Sequence, residues 1–476
     1  MMALLGLFLG IASQGSTAVA ESKTPKAGAE AKAKTLAKEA QPAANHAEVL
    51  SRLPVERATL ANGLRVVMSP DATVPTVAIA VYYDVGSRNE EKGRSGFAHL
   101  FEHMMFQGSA NVGKGEHFVL ITNRGGSLNG TTSTDRTNYF ETLPSNELAL
   151  GLWLEADRMR SLAITPENFE NQRQTVMEER RQSYDNRPYM ESMLRINELA
   201  YGDYFPYAHS TIGDMNDLKR APLKAVRDFF DQHYAPNNAV VSIAGDFKPA
   251  EALALVQRYF GSLGKRSVPP YKPGAFKGQS KEKKESMRDP NAELPAFHLA
   301  YHIPPDRDPD HYPLELLAAI LGDGASSRLY QELVKKRELC QSIDVGTDDR
   351  RGPDLFSFWS VLSRGHQGEE VRKVIFDELN KIAQEGVSPR ELEKAKNRAR
   401  SSVIFGLQSN LSRAMHLAEF ELYWGDARLL RDELEFYLKV SNDDIKRVAQ
   451  KYFKPENRTI LDVLPAAQNA KAAKKD

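Results

Sequence analysis

The sequence holds one cysteine, Cys340, in 476 residues. A lone thiol closes no internal disulfide and builds no cysteine-based zinc site, so any bound metal must rest on histidines and carboxylates. An excess of either charge is also missing. Lys plus Arg and Asp plus Glu both number 63, for a formal net charge of zero. That excludes the strong basic surplus of a nucleic-acid binder. The apolar run Met1 to Ala12 falls short of the ~20 residues that cross a bilayer. Hydrophobic residues at 41% and charged residues at 26% are ordinary for a soluble globular chain and exclude disorder throughout.

The N-terminal run is followed by the small-residue site Ala18-Val19-Ala20. Residues 1–20 therefore read as a secretory signal peptide, although no basic residue precedes the run. The expected location is the periplasm; an uncleaved anchor is the alternative. Residues 21–52 are rich in Ala, Lys, Glu and Pro and read as a disordered spacer. Strands are expected at 64–68 and 76–85, a helix at 96–107, extended Thr-rich segments over 127–140, and helices at 148–162 and 166–184.

One phrase occurs twice. A helix ending in Tyr234 runs into Ala-Pro236-Asn-Asn238 and the strand 239–244. A helix ending in Phe453 runs into Lys-Pro455-Glu-Asn457 and the strand 459–463, 219 residues later. The recurrence predicts two similar α+β halves. The Lys-, Pro- and Gly-rich stretch 265–292 reads as the linker between them. The domains are then 53–264 and 293–466, with a tail at 467–476.

His99-Leu-Phe-Glu102-His103 carries the chemistry. Helical residues four apart share a face, so His99 and His103 can point at one ion. Glu102 lies close to the same face and can reach a water beside that ion. Two imidazoles, one carboxylate and an open position make a catalytic zinc site, and H-x-x-E-H is the inverted zincin order. The third ligand should be a carboxylate from another helix, and Glu178-Glu179 offers two, pointing about 100° apart.

The ordered phrases Val85-Gly-Ser-Arg-Asn-Glu90, His99 to His103, Phe106-Gln-Gly-Ser109, Gly125-Gly-Ser-Leu-Asn129, Asp135-Arg-Thr-Asn-Tyr139, Val176 to Tyr189, and Ser326-Ser-Arg-Leu-Tyr-Gln-Glu-Leu333 run through nearly the whole chain. In them the chain resembles the pitrilysin/insulinase family, in its two-domain branch similar to mitochondrial processing peptidases. The resemblance implies an α+β fold of two homologous halves, each a mostly antiparallel sheet with helices packed on one side. It implies a zinc metalloendopeptidase with one Zn²⁺ per chain held by His99, His103 and Glu179, and Glu102 as general base. It implies a substrate-binding edge strand at Asn129, Gly130 and Thr131, which an extended peptide joins by strand addition.

Three positions depart from the family pattern. Gln172, seven residues before Glu179, stands where a carboxylate often orients a zinc histidine. Val334 and Gln341 stand where active members place an Arg and a Tyr that bind the substrate carbonyl. The expectation is therefore a zinc-bearing subunit that pairs, as a heterodimer, with a homologue carrying the Arg/Tyr pair. A non-catalytic structural subunit and a self-sufficient homodimer are the rivals. His298, His302, the three tryptophans and Cys340 read as structural.

Overall fold

The computed structural model describes Leu50 and residues 52–466. The expected signal peptide, most of the spacer and the tail lie outside these residues. Among the described residues eleven strands, β1 to β11 in chain order, form two sheets. The first contains β1 (Glu56–Thr59), β2 (Arg65–Pro70), β3 (Thr76–Tyr83), β4 (Ser127–Thr132), β5 (Thr137–Pro144) and β6 (Ala239–Gly245), in the order β1-β2-β6-β3-β5-β4. The second contains β7 (Lys283–Asp289), β8 (Ala296–Ile303), β9 (Cys340–Thr347), β10 (Asp354–Leu362) and β11 (Arg458–Pro465), in the order β7-β11-β8-β10-β9.

From β2 and β7 onward the two orders are the same. Each half has one parallel pair, β2 with β6 and β7 with β11, and is otherwise antiparallel. The repeated helix–Pro–strand phrase builds the central strands β6 and β11. The expected linker 265–292 is shorter than the composition implies. Lys283–Asp289 is a strand that pairs in register with β11, Thr459 opposite Lys283 and Val463 opposite Met287. Its exposed side chains, Lys284, Ser286 and Arg288, alternate with half-buried ones, as suits a sheet edge.

β3, β6 and β8 are buried along almost their whole length, so they read as continuous apolar runs. Such runs require cover on both faces of a sheet. One face of the first sheet packs on its own half's helices, through Val77, Ile79, Val81, Phe101, Leu152 and Val176. Its other face, with Val67, Ala78, Ala80 and Tyr82, is covered by the helix Asn410–Trp424 from the second half, through Ala414, Leu417 and Leu422. The exchange is reciprocal. The outer face of the second sheet, at Ala300, Leu355 and Leu461, is covered by the first half's helix Met190–Tyr201, through Ile196, Ala200 and Tyr201. The expected one-sided packing thus describes each half's own helices, and a helix lent by the other half closes the second face.

His298 and His302 face that lent helix. His298 bonds Ser192 Oγ at 2.8 Å and stacks on Trp359, while His302 meets the Ala200 carbonyl at 3.2 Å. Burial holds both neutral, at about 3 and about 4. Cys340 is a buried free thiol. Among the described residues no helix is long and apolar enough to cross a membrane.

Candidate metal centre

The helix Phe97–Met104 follows β3 and begins at Gly96, whose φ of 88° lies in the left-handed region. A Cβ there would stand 2.8 Å from the Ile212 carbonyl, so only glycine fits. The buried Glu90 caps this helix, accepting from Gly96 N at 2.9 Å and Ala98 N at 2.8 Å, and it pairs with His209 Nε2 at 2.9 Å. A carboxylate at a helix N-terminus answers both the free N–H groups and the macrodipole. Phe97, Leu100, Phe101 and Met104 enter the core, which turns His99, Glu102 and His103 outward.

The opposing helix is Pro166–Arg180, capped by Thr165, whose side chain accepts from Asn168 N. Gln172, Val176 and Glu179 lie on its inner face, one or two turns apart. Glu179 meets His103 Nε2 at 3.2 Å and His99 Nε2 at 3.8 Å. Glu178 points to solvent and bonds Arg181 and Gln182, each at 2.9 Å. Of the two glutamates, Glu179 is the one that meets both histidines.

Ligand atoms about 2.0–2.1 Å from a tetrahedral ion stand about 3.4 Å apart. The two separations bracket that value, and the donor atoms of His99, His103 and Glu179 all lie within 4.8 Å of one another. Burial and the neighbouring His103 hold the His99 imidazole down at about 4, so its lone pair is available. Burial disfavours charge on His103 as well, but the hydrogen bond to Glu179, the nearby charges of Glu102 and Glu179 and the contact with Gln172 together outweigh it and raise that group. Gln172 thus stands against His103 as its polar neighbour. His99 Nδ1 is buried with no partner. Two imidazoles and a carboxylate fit a divalent ion such as zinc.

Glu102 is tied to the sheet edge. Its Oε2 accepts a 2.6 Å hydrogen bond from Thr132 Oγ1 on β4. Burial raises its affinity for a proton, and the Thr132 bond opposes the rise. β4 is the outermost strand of the first sheet, with Asn129 exposed, Gly130 buried and Thr131 half-buried. Asn129 Oδ1 accepts from Gly130 N at 2.9 Å, and Arg136 donates to the Thr131 carbonyl at 3.0 Å. Thr132 was not singled out by the sequence, where it is one of several threonines in a row. Val334 packs half-buried against the second core, and Gln341 is exposed on β9.

Two other groups bring three ligand-type side chains together among the described residues. His117, Glu141 and Glu155 are sealed in the core, where the Arg158 guanidinium pairs with Glu155 and lies 4.3 Å from the centre of the Tyr139 ring. His311, Asp349 and Asp354 gather in the second half. Burial opposes charge on His311, but its bond to Asp349 and nearby carboxylates raise it to about 9. The protonated imidazole and Arg350, 3.8 Å from Asp354, fill the cationic role there.

The fold and this convergence define a two-half α+β protein with a metal-ligating face on one half. Residues 65–203 match the family "Insulinase (Peptidase family M16)", and residues 221–399 match "Peptidase M16 inactive domain". Zinc protease PqqE of Helicobacter pylori is 32% identical over 86% of this chain and 93% of its own length. A probable mitochondrial-processing peptidase subunit beta of Arabidopsis thaliana is 24% identical over 89% of this chain and 80% of its own. The crystal structure of a protease from Helicobacter pylori superposes with a TM-score of 0.82 at 30% identity, covering 87% of this chain and all of that one. The chain belongs to peptidase family M16. Its relatives, named zinc proteases, support a peptidase-type function.

Proposed function

We propose that the protein is an exported zinc endopeptidase acting on peptides or unfolded polypeptides in the periplasm. One zinc per chain is held by His99, His103 and Glu179, and Glu102 is the general base. The observation that carries this is the meeting of Glu179 with both histidines, 3.2 and 3.8 Å away, on a helix that also presents Glu102.

When bound, zinc supplies a Lewis acid that brings the pKa of water towards ~7 and polarises a carbonyl. Glu102 takes a proton from the attacking water and returns it to the leaving amine. The free edge of β4, at Asn129, Gly130 and Thr131, receives the extended substrate backbone. Gln172 orients His103 through a neutral amide.

The chain is the metal-bearing member of a heterodimer. The attack builds negative charge on the scissile oxygen, and losing a preorganised donor to such an oxygen costs roughly 10²–10³ in rate. Val334 has no donor, and Gln341 lacks its companion. A homologue with Arg and Tyr at those positions supplies them. The relative named as a processing-peptidase subunit supports the subunit reading.

The test is metal analysis and turnover of a fluorescent peptide by the mature chain, alone and with a homologue encoded beside it. About one zinc per chain, slow turnover alone and restoration on mixing are expected. Full activity from the pure chain, unchanged by any partner, ends the heterodimer reading.

A further inference from the structure

We propose that Thr132 is a positioning residue that fixes which oxygen of Glu102 takes the proton. The proposal rests on the reading of Glu102 as the base. The Thr132 hydroxyl donates to Glu102 Oε2 at 2.6 Å, within the range of a charge-assisted O–H···O⁻ bond. Among the described residues it is the hydrogen-bond partner Glu102 has. The bond occupies Oε2 and leaves Oε1 to receive a proton. It also stops the carboxylate turning about its terminal torsion, which is otherwise broad.

The donor is itself held. Thr132 is β-branched and so stiff at χ1. It ends β4 opposite Thr137, whose hydroxyl bonds the Val85 carbonyl at 2.9 Å. The hairpin beyond it is closed by Ser133 N donating to the Arg136 carbonyl at 2.9 Å. Two residues back on the same face is Gly130. A Cβ there would stand 3.2 Å from Glu102 Cγ, so the bare glycine lets the strand rest on the glutamate's stem. The strand proposed to receive the peptide therefore holds the base at the same time. Docking a substrate strand on the outer edge of β4 stiffens the segment that aims Glu102. A misplacement of about 1 Å at such a group can cost ~10² in rate.

The experiment uses the zinc-loaded full chain, in whatever assembly gives wild type its full rate. Thr132→Val keeps the shape and removes the hydroxyl, and Thr132→Ser keeps the hydroxyl. Zinc content, kcat and KM are measured for both. Thr132→Val should keep its zinc and hold KM within about twofold, while kcat falls by about 10-fold or more. Thr132→Ser should return kcat to within about threefold of wild type. A Val variant with wild-type kcat, a loss confined to KM, or a Ser variant no better than Val overturns the proposal. Glu102→Gln, run alongside, separates the two levels. If it is as active as wild type, the base assignment fails and takes the positioning role with it. If it is dead while Thr132→Val is fully active, only the positioning role fails.

Discussion

The two halves share a strand order and a helix arrangement, yet they use one helix pair in opposite ways. In the first half Phe97–Met104 lies against Pro166–Arg180, and the pair brings His99, His103 and Glu179 together. In the second half His311–Gly322 lies against Pro389–Gly406, which opens with the same hydroxyl-then-proline cap, Ser388 in place of Thr165. There the facing side chains are Glu315, Ala319, Ala395 and Ser402, around a cleft of about 230 Å³. The helix His311–Gly322 buries a nearly unbroken apolar surface, from Tyr312 to Leu321. The packing thus needs no metal-ligating groups, and the first half carries them as an addition to a frame that stands without them.

The largest expected break in this comparison is Glu102→Gln. The amide keeps the shape and cannot accept the water's proton, so hydrolysis should fall by about 10²–10⁴ with the metal retained. Metal content and peptide turnover on the same sample check it. Next is the third ligand. Glu179→Gln removes the carboxylate that meets both histidines and should weaken zinc binding by at least about 100-fold, more than the loss of an outer-shell partner. Glu178→Gln, in a side chain that bonds Arg181 and Gln182 just beyond the end of its helix, should stay within about twofold. Competition with a chelating dye reads both.

What was legible in the sequence follows the range of the interactions involved. The H-x-x-E-H spacing and the repeated helix–Pro–strand phrase are local, and they stated the ligand face and the two-half plan. The expectation of helices on one side passed over the buried runs β3 and β8, which need cover on both faces. They could not say that each cover is lent by the other half, because contacts such as Ala80 with the helix around Leu417 span hundreds of residues and leave no local pattern. β7 hid inside a lysine-rich stretch because an edge strand with exposed charges resembles a linker. Thr132 hid because strand periodicity says which threonines share a face, but not which of them meets a glutamate.

The exchanged helices give a prediction about stability. Leu417 belongs to the second half but is fully buried against the first sheet. Leu417→Ala should cost about 2–5 kcal/mol, the range for a buried leucine that leaves a cavity. If the lent helices bind the halves into one cooperative unit, that loss appears in both sheets. Calorimetry should show a single transition moved down, with hydrogen exchange rising in β8 as well as β3. Exchange that rises in the first half alone would show that the halves unfold separately.

The smallest expected effect lies in the second half's counterpart of the metal face. Burial and the nearby Asp349 raise Glu315 to about 8, while His311 and the Tyr437 hydroxyl work the other way. Its carboxyl is therefore mostly neutral in the folded chain at pH 7, whereas in the unfolded chain it ionises near 4.5. The folded state binds the extra proton, so this group's stabilisation is complete below pH 4.5 and is lost as pH rises through about 8. Glu315→Gln replaces a neutral acid with a neutral amide of the same size. At pH 5 the variant and wild type should differ by less than ~1 kcal/mol. As the pH climbs to 9, wild type should lose stability relative to the variant, so the two denaturation curves converge and can cross. Peptide turnover at neutral pH should be unchanged, because Glu315 lies in the second half, apart from the proposed metal face of His99, His103 and Glu179. Denaturant titrations at pH 5, 7 and 9 measure the trend. Equal pH slopes for both proteins would mean that Glu315 is ionised in the fold, and that the second half keeps a charged face of its own.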